Sequence, residues 1–190
     1  MYNFYSCGIM VIMKIYFVRH GQTDANANMQ NGQTIEELDE SLNETGRKQA
    51  NDLADQLKNT HFDLIISSPL KRAMQTAEII NGYHHLPIEL ENKLQERHAS
   101  TYIDIGTWHD LFDFDKNIQL QDGESLHAFF DRTHNYFGEL KQSYPDKNIL
   151  IVPHGGVSHA LYAYANKLPR SGNMRICPMK NCECREYEIE

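Results

Sequence analysis

A short apolar run that ends in residues suited to chemistry constrains this chain more than any other feature. Residues 15–18 are branched aliphatic or aromatic, which predicts a strand buried on both faces of a parallel sheet. Arg19, His20 and Gly21 follow at once. Because ligands of open α/β sheets bind beyond the carboxyl ends of the strands, these residues lie where a site is expected.

The three residues after this strand have complementary chemical properties. The guanidinium of Arg19 offers a rigid fork of donors that can bind an oxyanion. The imidazole of His20 can act as a nucleophile toward phosphorus. Gly21 allows the backbone to approach a ligand without a side chain in between. The run therefore predicts a site for a phosphorylated molecule.

Two further strands are followed by similar residues. After the apolar residues 64–66, Ser68 and Pro69 predict the N-cap and first residue of a helix that carries Arg72 in its first turn. After residues 149–152, His154 repeats the position of His20. The amide of Gly155 is then free to reach an anion at the start of the next helix.

The remaining elements follow from the spacing of apolar residues. A helix is predicted from residue 45 and a longer one after Ser125, because apolar residues recur there three and four positions apart. The polar residues 24–43 predict an irregular loop, and the tail from residue 174 predicts two short strands.

These elements predict a fold class of α/β type, a three-layer sandwich with a mostly parallel sheet, helices on both faces and a small cap insertion. Residues 13–190 are predicted to form a single catalytic domain, in which residues 97–123 form the cap. Residues 1–12 contain no Lys or Arg, so they lack the basic start of a secretory signal. They are interpreted as an N-terminal extension, with an edge strand or contact segment as the alternative.

Aromatic and acidic residues alternate in the predicted cap. Its acidic side chains outnumber its basic ones. Two explanations are open for the aromatic residues, packing within the cap or a platform on which a substrate stacks. The aromatic residues concerned are Tyr102, Trp108, Phe112 and Phe114.

Net charge and cysteine positions limit the partners and the compartment. A net charge of −8 repels nucleic acid and anionic membranes, so neither is an expected partner. Cys177, Cys182 and Cys184 crowd into the tail, which is typical of reduced thiols in a cytoplasmic protein and not of a disulfide framework. A zinc site there would lack an obvious fourth ligand. No feature of the sequence specifies an oligomeric state.

Four spaced motifs resemble those of the histidine phosphatase superfamily, which contains phosphoglycerate mutases and many phosphatases. The first is Arg19-His20-Gly21 with Gln22-Thr23, and the second is the run Ser-Ser-Pro-Leu-Lys-Arg-Ala-Met-Gln-Thr-Ala of residues 67–77. The third is Leu-Gln-Glu-Arg-His at residues 94–98, and the fourth is His-Gly-Gly at residues 154–156. The motifs occur in the order expected for the family, over nearly the whole chain from residue 13.

The resemblance implies a role for each matching residue. His20 would be the nucleophile, and Glu96 would donate a proton to the leaving alcohol and later activate water. A carboxyl group beside a phosphate dianion has its charged form disfavoured, which suits it to that role. The residues that would bind the phosphoryl group are Arg19, Asn26, Arg72, His154 and Gly155.

The expected activity is hydrolysis of small phosphate monoesters through a phosphohistidine, with no metal and no cofactor. A mutase is the first alternative, but it needs basic residues to hold a second anionic group, and the predicted cap is acidic. Ala99-Ser100 also stands where the mutases carry a Tyr-Gly pair. A phosphate-binding module without catalysis is the second alternative, and the full set of nucleophile, acid and anion ligands argues against it.

Overall fold

The protein is represented by a computed structural model. The part of the chain that it describes comprises residues 12–30, 39–97, 108–119 and 123–190. Most of the predicted extension 1–12 and part of the predicted cap 97–123 lie outside these residues. Within them, no helix is long and apolar enough to cross a membrane.

Five strands form one mostly parallel sheet in the order β3-β2-β4-β1-β5. The strands are β1 (Met13–Val18), β2 (Leu64–Ser67), β3 (Ile88–Leu90), β4 (Asn148–Val152) and β5 (Cys184–Ile189). The pairs β1–β4, β2–β4 and β2–β3 are parallel, and β5 alone pairs antiparallel, with β1. This arrangement confirms the predicted fold class.

Six α-helices are described, and the four longest cover the two faces of the sheet. The helices are α1 (Asp24–Gln30), α2 (Glu44–Leu57), α3 (Lys71–Asn81), α4 (Trp108–Leu111), α5 (Leu126–Ser143) and α6 (Gly155–Ala165). Apolar residues of α5 and α6 pack with one face of β1 and β4, and those of α2 and α3 pack with the other. Alternate residues of the central strands therefore enter two separate cores.

Parallel pairing brings three strand ends to one edge of the sheet. Phe17 of β1 pairs with Ile151 of β4, and Val152 pairs with Ser67 of β2. The residues that follow these strands are consequently neighbours, although the sequence separates them widely. The fold thus assembles the three predicted strand-end motifs at the location expected for a ligand site.

Two local predictions near the site were wrong. The predicted loop 24–43 begins with α1, because the Thr23 hydroxyl accepts a hydrogen bond from the Asn26 amide at 3.2 Å and caps the helix. Ser68 is not the N-cap of α3, which is Leu70, without a side-chain cap. The Ser68 hydroxyl instead lies 2.8 Å from His154 Nε2.

The tail also differs from its prediction. It contains one described strand, β5, instead of two, because residues 174–183 are held by contacts to the site and not by strand pairing. Cys177 is buried, and burial raises the pKa of the Cys182 thiol to about 12 and of the Cys184 thiol to about 11. These thiols are therefore protonated near neutral pH.

The first turn of α2 packs directly on the backbone that follows His20. A Cβ atom at Gly46 would lie 2.1 Å from the carbonyl oxygen of Gln22, and one at Gly21 would lie 2.6 Å from the carbonyl oxygen of Gly46. Both neighbours are backbone atoms, which cannot move away as a flexible side chain could. These two glycines allow α2 to support the turn after β1.

We expect Gly46→Ala to destabilise the protein. Forcing a methyl group against the Gln22 backbone should lower the free energy of unfolding by roughly 1–3 kcal/mol and the Tm by several degrees. Thermal denaturation followed by circular dichroism measures this change. Gly138→Ala is the matched control, because its Cβ would meet nothing closer than Tyr164 Oη at 3.8 Å. Equal Tm values for the two variants would contradict the prediction.

Candidate active site

The backbone after β1 is held by two other segments. The His20 amide donates to the Pro153 carbonyl oxygen at 3.2 Å, next to the end of β4. The Arg19 amide donates to the Glu183 carbonyl oxygen at 3.2 Å, and the Cys182 amide donates to the Arg19 carbonyl oxygen at 2.9 Å. Because the tail and β4 grip it from both sides, this short stretch has a fixed conformation.

The imidazole of His20 is held in one tautomer. Its Nδ1 lies 2.8 Å from the Gly21 carbonyl oxygen, which can only accept, so Nδ1 carries the proton. Its Nε2 then has a free lone pair, toward which Arg72 Nε donates at 3.3 Å. Burial lowers the pKa of His20 well below its usual value, and the charges of Arg72 and Arg19 lower it further. The ring is therefore a neutral base with a nucleophilic nitrogen.

Arg72 lies in the first turn of α3, as its motif predicted, and is almost fully buried. The Thr76 hydroxyl donates to the Arg72 carbonyl oxygen at 2.7 Å and accepts from the Gly21 amide at 3.0 Å. One threonine thus links the turn after His20 to the helix that carries Arg72. The structure brings both residues together as the sequence predicted.

His154 lies beside His20 at the end of β4. The two ring centroids are 5.1 Å apart, and the side chain of His154 is fully buried. Burial lowers the pKa of His154 well below its usual value, with further lowering by the Arg72 charge. Its Nδ1 is buried and has no hydrogen-bond partner in the described part of the chain. An unpaired buried nitrogen of this kind requires a ligand to satisfy it.

The guanidinium of Arg19 has a second unpaired nitrogen. Its NH1 group donates to the Met179 carbonyl oxygen at 2.6 Å, whereas Nε is buried and lacks a partner among the described residues. A Cβ atom at Gly155 would lie 3.3 Å from this Nε. Gly155 therefore leaves room for the guanidinium at the start of α6.

Glu96 lies at the N-terminus of α6. Its Oε2 accepts from the Gly156 amide at 2.8 Å, and its Oε1 accepts from the Arg97 amide at 2.9 Å. A Cβ atom at Gly156 would lie 2.0 Å from Glu96 Oε1, so only glycine fits there. Glu96 takes over the capping that His154, the N-cap residue, does not perform. Its negative charge also acts on Arg19, which places it at the same site.

Two arginines fix the chain on either side of Glu96. Arg97 is buried and donates to the carbonyl oxygens of Leu111, Ile118 and Glu124. Arg132 of α5 pairs with the Glu124 carboxylate and also donates to the carbonyl oxygens of residues 93 and 95. Glu96 therefore sits between two anchored segments, one of which is the described part of the cap.

Asn26 reaches the site through a residue that the sequence did not indicate. The Asn181 Nδ2 group donates to the His20 carbonyl oxygen at 3.0 Å and to Asn26 Oδ1 at 2.9 Å. Asn26 Nδ2 therefore points away from Asn181 and is available as a donor. Sequence reasoning missed Asn181 because it lies far along the chain, in the tail that contacts Arg19.

Ser68 was the second residue whose role the sequence missed. It was assigned to capping α3, and its hydroxyl instead meets the His154 imidazole. No local pattern could reveal this contact, because residues 68 and 154 belong to different strand ends.

The described aromatic residues of the cap pack against the helices. Phe114 stacks on His127 with ring centroids 4.0 Å apart, and it meets the edge of Phe130 at 5.6 Å. Phe112 meets the edge of His159 at 5.5 Å. For these two phenylalanines the structure supports packing. Tyr102 and the side chain of Trp108 lie outside the described residues.

Among the described residues, no group of three or more His, Cys, Asp and Glu side chains is placed to hold a metal ion. The cations at the site are Arg19 and Arg72, and its imidazoles are neutral. A dianionic phosphate would thus meet two positive charges and several N–H donors. The arrangement can bind a phosphoryl group beside a nucleophilic nitrogen.

Comparisons with known proteins agree with this geometry. The family model described as "Histidine phosphatase superfamily (branch 1)" matches residues 15–190. The "Uncharacterized phosphatase PhoE" of Bacillus subtilis is 38% identical over 148 residues, covering 77% of this chain and 74% of that protein. The "Phosphoserine phosphatase 1" of Hydrogenobacter thermophilus is 29% identical over 167 residues, covering 80% of this chain and 75% of that protein.

A solved structure shows the same architecture. The mycobacterial glucosyl-3-phosphoglycerate phosphatase is 27% identical, with a TM-score of 0.78, and the match covers 92% of this chain and 89% of that chain. The resemblance read from the four sequence motifs is thereby confirmed, and the chain belongs to branch 1 of the histidine phosphatase superfamily.

Proposed function

We propose that this protein is a phosphatase that hydrolyses phosphate monoesters through a phosphohistidine on His20, without a metal ion. One observation carries the proposal. A neutral imidazole in a fixed tautomer lies beside two buried nitrogens, Arg19 Nε and His154 Nδ1, that have no partner among the described residues. Relatives with the names of phosphatases support the same reaction class.

The phosphoryl group would be bound by donors that already surround His20. Arg19 Nε and the Arg72 guanidinium supply positive charge to the equatorial oxygens, on which negative charge lies in the transition state. His154 Nδ1 can donate if the Ser68 hydroxyl gives its proton to His154 Nε2, 2.8 Å away. Asn26 and the amide of Gly155 complete the set of donors.

The first chemical step forms a bond between His20 Nε2 and phosphorus as the ester P–O bond breaks. Phosphate binding draws the Arg72 guanidinium from Nε2 to the phosphate oxygens and exposes the lone pair. The proton on His20 Nδ1 stays on the Gly21 carbonyl oxygen, so the ring need not lose a proton during attack. Glu96 gives its proton to the leaving oxygen, which departs as the alcohol.

The second step returns the enzyme to its starting state. A water molecule takes the place of the departed alcohol, and the Glu96 carboxylate accepts its proton as the oxygen attacks phosphorus. The bond between Nε2 and phosphorus breaks, and inorganic phosphate leaves. Glu96 regains its proton, and His20 regains its lone pair.

We expect His20→Ala to abolish turnover and phosphoryl labelling. In wild type, brief mixing with a radiolabelled substrate in excess EDTA should leave an acid-labile, base-stable phosphoryl group on His20. EDTA should not change the labelling, because arginines provide the charge neutralisation. His61→Ala, at an exposed position, is the control and should label as wild type does. Wild-type turnover by His20→Ala, or loss of activity in EDTA that Mg²⁺ restores, would overturn the mechanism.

We expect the effect of Glu96→Gln to depend on the leaving group. Alkyl alcohols leave poorly as alkoxides and need a proton, so labelling of His20 by an alkyl phosphate should slow by about 10²- to 10⁴-fold. Nitrophenyl phosphate should lose much less, because nitrophenolate leaves unaided. Single-turnover labelling isolates this step. An equal loss for both substrates would indicate that the substitution only disturbs the contacts with Arg97 and Gly156.

We expect Asn181→Ala to slow the labelling of His20 about tenfold, because His20 and Asn26 both lose a hydrogen bond from its amide. The same substitution in an Asn26→Ala background should have a much smaller effect, since the shared contact is already gone. Asn51→Ala, which removes an exposed side-chain amide from α2, is the control. Additive effects of the two site substitutions would show that Asn181 does not position Asn26.

A further inference from the structure

Arg175 lies in the segment that joins α6 to β5. On one side of it, the Met174 amide donates to the Phe112 carbonyl oxygen in the cap at 2.7 Å. On the other side, the Cys177 amide donates to His159 Nδ1 on α6 at 2.9 Å. The backbone of Arg175 is therefore anchored both to the cap and to the helix that begins at the active site.

The guanidinium of Arg175 differs from the other arginines in this part of the protein. It is exposed, and no ion pair joins it to a carboxylate in the part of the chain that the structure describes. Three neighbouring arginines of the C-terminal half each pair with a carboxylate. These are Arg132 with Glu124, Arg170 with Asp131, and Arg185 with Glu183. In a protein of net charge −8, an unpaired guanidinium is an exception that calls for a partner.

Arg175 lies close to the active site. Its positive charge contributes to lowering the pKa of Arg19, and it also lowers the pKa of His159, for which burial is the larger cause. The Ser158 hydroxyl donates to the carbonyl oxygens of both Gly155 and Cys177, which joins the segment of Arg175 to the first turn of α6. The guanidinium thus stands at the rim of the site and not on a distant surface.

The position of Arg175 relative to Glu96 indicates which part of a substrate it would meet. Glu96 binds the Gly156 amide in the first turn of α6, and His159 lies less than one turn further along. In the proposed reaction the alcohol leaves on the side of Glu96. Substituents on the carbons of that alcohol therefore extend toward the rim that Arg175 and the cap form.

We propose that Arg175 is a specificity-determining residue that binds a carboxylate on the leaving alcohol, a few bonds from the ester oxygen. The proposal rests on the proposed phosphatase function and names its substrate class, the phosphate monoesters of small hydroxy acids. A planar guanidinium with free N–H groups matches a carboxylate in two parallel hydrogen bonds. A neutral hydroxyl or an ammonium group at that position would gain no comparable interaction.

Two pairs of substrates test this assignment, because each pair differs in the carboxylate. The pairs are 3-phosphoglycerate with glycerol 3-phosphate, and O-phosphoserine with phosphoethanolamine. Arg175→Gln should lower kcat/KM for the carboxylate member of each pair about tenfold and leave the other member within twofold. Arg175→Lys should recover part of the loss, because it keeps the charge without the fork. Arg47→Gln, an equal charge change at an exposed position on α2, should affect neither member.

The outcomes separate this proposal from the proposed function. If no phosphate monoester is hydrolysed and His20 is not labelled, the phosphatase proposal itself is wrong. If hydrolysis occurs and Arg175→Gln lowers both members of a pair equally, or neither, the carboxylate assignment is wrong. A second phosphate could supply the same negative charge, so fructose 1,6-bisphosphate and fructose 6-phosphate form a third pair. A selective loss in that pair alone would overturn the carboxylate in favour of a phosphate.

Discussion

The hydrogen bond from His20 Nδ1 to the Gly21 carbonyl oxygen is the interaction on which the rest of the site depends. It places the proton on the nitrogen that faces the backbone and the lone pair on the nitrogen that faces the arginines. Burial and the charges of Arg72 and Arg19 keep the ring neutral. The bond can form because Gly46 lies against the backbone beyond Gly21, and because β4 and the tail hold the Arg19-His20 peptide.

Glu96 shows how the cap and the chemistry are connected. Its two oxygens accept amides from Arg97 and Gly156, so its position depends on both the segment that leads into the cap and the start of α6. Arg97 donates to three carbonyl oxygens in the cap and beside α5. A displacement of these cap segments would therefore move the residue next to Glu96. The proposed proton donor stands where substrate-induced rearrangement of the cap would be sensed.

The sequence predicted the layers of the fold because buried strands and amphipathic helices leave strong periodic signals, as residues 15–18 and 149–152 show. It also predicted that Arg19, Arg72 and His154 would approach His20, since strand ends of a parallel sheet share one edge. It could not predict the contacts of Ser68 and Asn181, which depend on which nitrogen faces which segment. Cys182 adopts a positive φ of 54°, which local sequence does not demand, and this conformation aims its amide at the Arg19 carbonyl oxygen.

The distribution of charge around the site bears on the choice between a phosphatase and a mutase. A mutase must retain its dephosphorylated product until the phosphoryl group returns, whereas a phosphatase must release that product before water enters. The described cap contributes Asp110, Asp113 and Asp115 against one Lys, Lys116, which is itself paired with Asp110. Arg175 is a lone, exposed cation, and solvent screening weakens its hold on a carboxylate product. An alcohol that has lost its phosphoryl group keeps only that contact, so release precedes return and the balance of charge favours hydrolysis.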